Sequence, residues 1–144
     1  MITENIRKIR ETMARAALAA GRRPEDILLC AATKMNDSAR VREAIAAGVD
    51  CCGENRVQEL VQKQAEHAYD GAPVHFIGHL QTNKVRQVVG KVALIQSVDR
   101  LELLQCIERE AEKQGIVQDI LLEVNVAAEA VSYTHLTLPT KRIV

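Results

Sequence analysis

Apolar residues recur along this chain at two spacings, one typical of helices and one typical of buried strands. At the start, apolar side chains lie three or four positions apart, which predicts an amphipathic helix that ends at Gly21. Its apolar stripe consists of Ile2, Ile6, Ile9, Met13, Ala16 and Ala20. Short apolar runs then predict strands at residues 27–33, 49–53, 74–80, 92–98 and 119–125. Helices are predicted between successive strands, beginning near Ser38, Asn55, Asn83 and Asp99.

The order of these elements predicts the fold class. A strict alternation of strands and helices with short loops predicts a parallel sheet with right-handed crossovers, which is an α/β architecture. A doubly wound sheet and a part of a (β/α)8 barrel both fit this order. No glycine-rich nucleotide-binding loop follows the first strand. Polar residues stand at the carboxyl ends of the strands, as at a barrel mouth: Lys34, Asn55, His79 or Gln81, Ser97 and Asn125. The sequence therefore favours a partial (β/α)8 barrel with about five of its eight parallel strands.

Lys34 is the most informative of these strand-end residues. It follows the apolar run that starts at Ile27, at the carboxyl end of a buried strand, where parallel α/β folds place their chemistry. Alternation puts Cys30 and Ala32 on the same face, and their small side chains leave space beneath the amine. The pattern alone, however, is more typical of a lysine that is merely solvated.

Several local expectations concern the helices. Asn55 is predicted to cap the third helix and Asp99 the last one, since both are preferred N-cap residues. Tyr69 is predicted to lie at a surface helix end. Apolar spacing predicts inward-facing side chains on these two helices: Val57, Leu60, Val61, Leu101, Leu104, Ile107 and Ala111.

No metal site is predicted. The four cysteines show no zinc-ligand spacing: Cys30, Cys51, Cys52 and Cys106. His75 and His79 share one strand face, but no third ligand is evident beside them. His79 is expected near the barrel mouth, whereas His75 is expected deeper and structural.

Composition and charge exclude several functional classes. Nineteen basic residues balance nineteen acidic ones, so the excess positive charge on which nucleic-acid binding depends is lacking. Aromatic residues make up 2% of the chain, too few for base stacking. No apolar run approaches the length of a membrane span, and the charged N-terminus is unlike a signal peptide. We therefore expect a cytoplasmic protein with reduced cysteines, without nucleic-acid or membrane partners.

Residues 131–144 break the alternating pattern. They show no helical stripe, although a loop and a helix are due after the fifth strand. The stretch SYTHLTLPTKRIV resembles translated sequencing-adapter sequence, and a native disordered tail is the alternative. We therefore predict one domain at residues 1–130 and a non-native or disordered tail at residues 131–144.

Five motifs together resemble the pyridoxal 5′-phosphate (PLP) homeostasis protein family, the YggS/PROSC-like proteins. They are AATKMN, GENRVQEL, HFIGHLQTNKVR, SVDR and LLEVNVAAEA, and the resemblance covers about residues 1–130. It implies a fold like the N-terminal barrel of alanine racemase, with PLP held as a Schiff base on Lys34. The family usually reads Ser-Lys-Thr-Lys-Pro at this strand end, where this chain has Ala-Thr-Lys-Met-Asn at residues 32–36. The family continues beyond Asn125 with three more strands and phosphate-binding loops, so we expect an incomplete barrel here.

The resemblance leads to three functional hypotheses. The first is a PLP-binding homeostasis protein without robust catalysis, which is a monomer when full length and has PLP-dependent apoenzymes as candidate partners. Its cofactor-binding residues would be Lys34, Asn55, His79, Ser97 and Asn125. Because the PLP aldehyde reacts with a neutral amine, a partly buried lysine is expected. The second hypothesis is a fragment of a PLP-dependent racemase or decarboxylase. The third is a truncated fragment that binds no PLP.

Overall fold

The computed structural model describes residues 1–126, and the predicted tail at residues 131–144 lies outside them. Helices and strands alternate through this part of the chain as predicted. The helices are α1 (Ile2–Ala19), α2 (Ser38–Ala46), α3 (Val57–Ala65) and α4 (Leu101–Gln114). The strands are β1 (Cys30–Ala32), β2 (Cys51–Glu54), β3 (Val74–Phe76), β4 (Leu94–Val98) and β5 (Ile120–Leu122). Short 3₁₀ helices occupy Pro24–Asp26 and Thr82–Gln87.

The five strands form one parallel sheet in the order β1-β2-β3-β4-β5. A doubly wound sheet would reverse its strand order at a switch point, whereas a β/α barrel adds each strand beside the preceding one. The consecutive order therefore confirms an α/β fold that forms an arc of a (β/α)8 barrel. Ala32 pairs with Gly53, and Gly53 pairs with His75.

The core lies between the sheet and the helices. Its fully buried side chains are almost entirely aliphatic, as the low aromatic content requires: Leu60, Leu80, Val88, Ile95, Val98 and Leu103. Phe76 is the one phenylalanine of the chain, and it is completely buried in this cluster. Each such side chain contributes about 1.5–3 kcal/mol to folding through its burial. Among residues 1–126, no helix is long and apolar enough to cross a membrane.

Helix ends follow the local predictions in part. Gly21 adopts a left-handed conformation (φ 67°) just after α1, and Gly115 (φ 64°) ends α4 in the same way. Asp37 caps α2 by accepting a hydrogen bond from the Arg40 backbone N–H at 2.9 Å.

The predictions that Asn55 and Asp99 cap helices were wrong. Arg56 stands at the N-cap of α3 and Arg100 at that of α4, and neither makes a side-chain cap hydrogen bond. Asp99 is only 1% exposed and its carboxylate accepts a hydrogen bond from Arg100, so it is engaged elsewhere.

The predicted inward faces of α3 and α4 also need correction. Val61 is 38% exposed and Leu101 is 56% exposed, whereas Lys63 and Leu103 are buried. Val57, Leu60, Ile107 and Ala111 are buried as predicted, and together with Lys63 and Leu103 they form narrow stripes of residues three or four positions apart, which leave Val61 and Leu101 at the edge. Tyr69 is buried as well, rather than exposed at a helix end, because its hydroxyl donates a hydrogen bond to Glu54.

Candidate functional site

Lys34 lies in the turn that follows β1, at the carboxyl edge of the sheet, as predicted. Its side chain is exposed rather than partly buried, because β1 is an edge strand of the sheet within residues 1–126. In this part of the chain no hydrogen bond or ion pair reaches its amine. The amine is therefore accessible to an electrophile in solution.

The residue before Lys34 is firmly anchored. Thr33 is 4% exposed, and its backbone N–H donates to the Gly53 carbonyl at 2.9 Å. Its hydroxyl donates to Oε1 of Glu54 at 2.7 Å, and its own carbonyl accepts from Nζ of Lys63 at 2.8 Å. The backbone from which the Lys34 side chain departs is thus held on its N-terminal side by buried hydrogen bonds.

The residue after Lys34 is also held in place. Met35 has a positive φ of 59°, which is uncommon for a residue other than glycine. Its N–H donates to Oε2 of Glu59 at 2.8 Å, and the Asn36 side chain donates to the Lys34 carbonyl at 3.0 Å. The hydrogen bond from Met35 lowers the pKa of Glu59 below its usual range, which keeps the acceptor charged. Lys34 therefore stands on a fixed turn.

The anchor behind this turn is a buried polar network centred on Glu54, which is 0% exposed. Oε1 of Glu54 accepts hydrogen bonds from three donors: Lys63 Nζ (2.7 Å), the Thr33 hydroxyl (2.7 Å) and the Tyr69 hydroxyl (3.0 Å). Within residues 1–126, Oε2 of Glu54 has no hydrogen-bond partner. Burial and the nearby charge of Glu54 raise the pKa of Tyr69, so the phenol stays protonated and remains a donor.

The sequence pattern alone does not reveal this network. Lys63 lies outside the apolar stripe predicted for α3, and Glu54 stands where that helix is predicted to begin. A weak signal exists, since Glu54 ends a strand that is otherwise apolar. No sequence feature identifies Lys63 as its partner.

Asn55 and His79 lie together at the carboxyl ends of β2 and β3. Both line a cavity of about 180 Å³ that also includes Gln81 and the basic residues Arg56 and Lys84. Lys34, Ser97 and Asn125 do not line this cavity. Ala32 and Gly53, however, are paired in the sheet. Lys34 and Asn55 each come two residues after this pair, so they occupy equivalent positions beyond β1 and β2.

Gly78 lies very close to Asn55 after β2 and is hydrogen-bonded to Ser97 on β4. A Cβ added to Gly78 would lie 2.3 Å from the Asn55 carbonyl oxygen, so only glycine permits this approach of the two backbones. The Gly78 carbonyl in turn accepts a hydrogen bond from the buried hydroxyl of Ser97. Ser97 is thus bound to the backbone beside Asn55 and His79. Asn125 is half-buried and lies beyond the end of β5.

The buried carboxylate of Asp99 lies beside His79. Nδ1 of His79 is 3.3 Å from Oδ2 of Asp99, while 43% of the His79 side chain is exposed. Arg100 fixes the other Asp99 oxygen at 2.6 Å and donates to the Leu80 carbonyl at 3.0 Å. This arrangement places the imidazole next to a carboxylate at the carboxyl edge of the sheet.

The strand ends carry an exposed amine on Lys34 and, around the cavity that Lys34 does not line, an amide, an imidazole and two cationic side chains. An amine condenses with an aldehyde, and the polar and cationic groups suit a ligand that carries oxygen atoms and negative charge. The chemistry of these groups therefore suits a small anionic carbonyl compound.

No protein-family model matches the chain. Individual proteins, however, match most of it. The pyridoxal phosphate homeostasis protein of Aquifex aeolicus is 41% identical over 126 residues, which cover 88% of this chain and 55% of that protein. The protein of the same name from Escherichia coli is 34% identical over 131 residues, with 89% and 56% covered. This chain belongs to the pyridoxal phosphate homeostasis protein family. It spans about half the length of the curated relatives that it matches.

Solved structures agree with this family assignment. An unknown protein from Bifidobacterium adolescentis has a TM-score of 0.79 and 36% identity, covering 92% of this chain and 58% of that one. PipY of Synechococcus elongatus with PLP bound has a TM-score of 0.70 and 36% identity, with 82% and 56% covered. The chain therefore resembles proteins of known structure both in its sequence and in the path of its backbone.

Proposed function

We propose that the protein binds PLP at the mouth of its partial barrel, as a Schiff base on Lys34, and serves intracellular PLP homeostasis. The observation that carries the proposal is the accessible Lys34 amine on a turn whose two neighbouring residues are both hydrogen-bonded to the body of the protein. The PLP-bound structure of a relative supports the choice of ligand. When bound, PLP supplies an aldehyde and an electron-withdrawing ring.

The residues present fit such a ligand. Cys30 and Ala32 precede Lys34 on the same face of β1, both are exposed, and their small side chains leave room for a flat ring. Asn55 and His79 offer hydrogen-bonding groups beside it, while Arg56 and Lys84 add positive charge that favours an anion. Ser97 positions the Gly78 backbone, and Asn125 provides a further polar group at the end of β5.

We propose that the protein carries PLP and does not itself catalyse a reaction at a substantial rate. Tyr69 is the tyrosine within residues 1–126, and its buried hydroxyl is engaged by Glu54, so it is not available as an acid or base at the mouth. Racemase activity is tested by incubating the PLP-loaded protein with D- and L-amino acids. Clear turnover that Lys34→Arg abolishes would contradict carriage.

Trapping the bound ligand tests the role of Lys34. The protein is mixed with PLP, reduced with borohydride, digested and analysed by mass spectrometry. We expect the label on the peptide that contains Lys34, together with the visible absorbance of a Schiff base before reduction. Lys34→Arg keeps the positive charge but cannot form the linkage, so it should lose both signals, whereas Lys113→Arg on α4 should keep them. A label on another lysine, or no label, would overturn the assignment.

A further inference from the structure

Three side chains with metal-binding atoms meet on the sheet face opposite the helices. Cys30 on β1, Cys51 on β2 and His75 on β3 each contribute one such atom, and these atoms all lie within 4.8 Å of one another. Cys30 and Cys51 are direct partners in the sheet, and His75 follows on the next strand. We propose that these residues form a Zn²⁺ site beneath the barrel mouth, which does not use the amine of Lys34 and shares only Cys30 with the surface proposed for the PLP ring.

The set of donors matches zinc chemistry. Two cysteine sulfurs and one imidazole leave a fourth position open in a tetrahedral site. With ordinary zinc–ligand bond lengths, the donor atoms of such a site are about 3.5–3.8 Å apart. The three atoms need to approach one another by at most about 1.3 Å, which small side-chain rotations provide. They belong to adjacent strands of one sheet, so the backbone already holds them in place.

The surroundings of His75 favour its role as a ligand. Nε2 of Gln96 on β4 lies 3.0 Å from Nδ1 of His75. With the Gln96 amide turned by 180°, its oxygen would accept a hydrogen bond from Nδ1–H and leave Nε2 of His75 free to bind the metal. Gln96 is therefore a positioning residue for the ligand rather than a ligand itself.

Cys51 is the buried ligand of the site, since it is 2% exposed. On metal binding, each of the two thiols would release its proton to solvent as its Zn–S bond forms. The other two cysteines lie elsewhere: Cys52 faces the helices, and Cys106 on α4 contacts Arg109.

Cobalt substitution tests the site without any reference to PLP binding. The reduced protein is titrated with Co²⁺, and the thiolate-to-cobalt charge-transfer band is recorded, followed by displacement with Zn²⁺. We expect one Co²⁺ per chain and full displacement. Cys30→Ser should abolish the band, and far-UV circular dichroism should confirm that this exposed position leaves the fold intact. Gln96→Ala should weaken binding by about 10–100-fold.

Two matched variants separate metal binding at this cluster from binding at another thiol and from PLP binding. Cys106→Ser removes a thiol outside the cluster and should leave the titration unchanged. Lys34→Arg should also leave it unchanged, so that failure of PLP binding and failure of metal binding are read separately. The proposal is overturned if the folded protein gives no charge-transfer band, if the band survives Cys30→Ser, or if Cys106→Ser removes it.

Discussion

Replacement of Lys63 by methionine gives the most direct test of the buried network behind Lys34. The substitution keeps a long side chain but removes the cation whose Nζ lies 2.7 Å from Glu54. Glu54 is 0% exposed and Lys63 is 5% exposed, so water cannot replace the lost charge. The carboxylate would keep only two neutral donors, the hydroxyls of Thr33 and Tyr69.

The expected loss follows from this burial. Removing one partner of a buried ion pair costs about 3–5 kcal/mol, because the other charge stays in a poorly solvated place. Domains of this size are stable by about 5–15 kcal/mol, so the variant loses a large part of its free energy of unfolding. The loss should appear in urea denaturation followed by circular dichroism, as a lower midpoint with an unchanged slope.

A double variant and a control separate charge burial from simple loss of packing. Adding Glu54→Gln to Lys63→Met removes the uncompensated charge, so the double variant should be more stable than the single one. Lys113→Met breaks an exposed contact with Glu110 at 4.0 Å and should change stability by under about 0.5 kcal/mol. A cost of less than about 1 kcal/mol for Lys63→Met, which is typical of exposed pairs, would show that the pair is not buried in solution.

Two further predictions concern the strand ends. Gly78→Ala should destabilise the protein and impair PLP binding, since the new Cβ would meet the Asn55 backbone at 2.3 Å; normal stability in thermal unfolding would refute this contact. Glu59→Gln should flatten the acid limb of the stability–pH profile. The folded pKa of Glu59 lies below its ordinary value of 4.5, so its contribution is complete above that value and is lost as the pH falls through the folded pKa. Equal acid sensitivity of the two proteins in urea titrations at descending pH would show that Glu59 contributes nothing.

Features encoded by neighbouring residues were predictable from the sequence. Gly21 and Gly115 end helices because the left-handed turn after a helix needs a residue without a Cβ, and Asp37 caps α2 through a local hydrogen bond. Alternation of apolar runs with helical stripes also predicted the strand number and order. The position of Lys34 was predictable for the same reason, since it depends only on where β1 ends.

Features that depend on distant residues were not predictable. Lys63 and Tyr69 look like surface residues in the sequence, and only the packing of α3 against the sheet brings both to Glu54. Likewise, Cys30, Cys51 and His75 have no metal-binding spacing along the chain, and the parallel sheet alone places them side by side. Helix propensity and periodicity carry no information about such partners.

The burial of Glu54 has a consequence for how β1 aligns with β2. The paired residues from Cys30 to Ala32 and from Cys51 to Gly53 are all small, so apolar contacts discriminate weakly between this alignment and one shifted by a residue. A shifted β1 would turn the Thr33 hydroxyl to the opposite face and leave the carboxylate without that donor. The charged network therefore penalises the misaligned sheet, and it determines the face of the barrel to which Lys34 belongs.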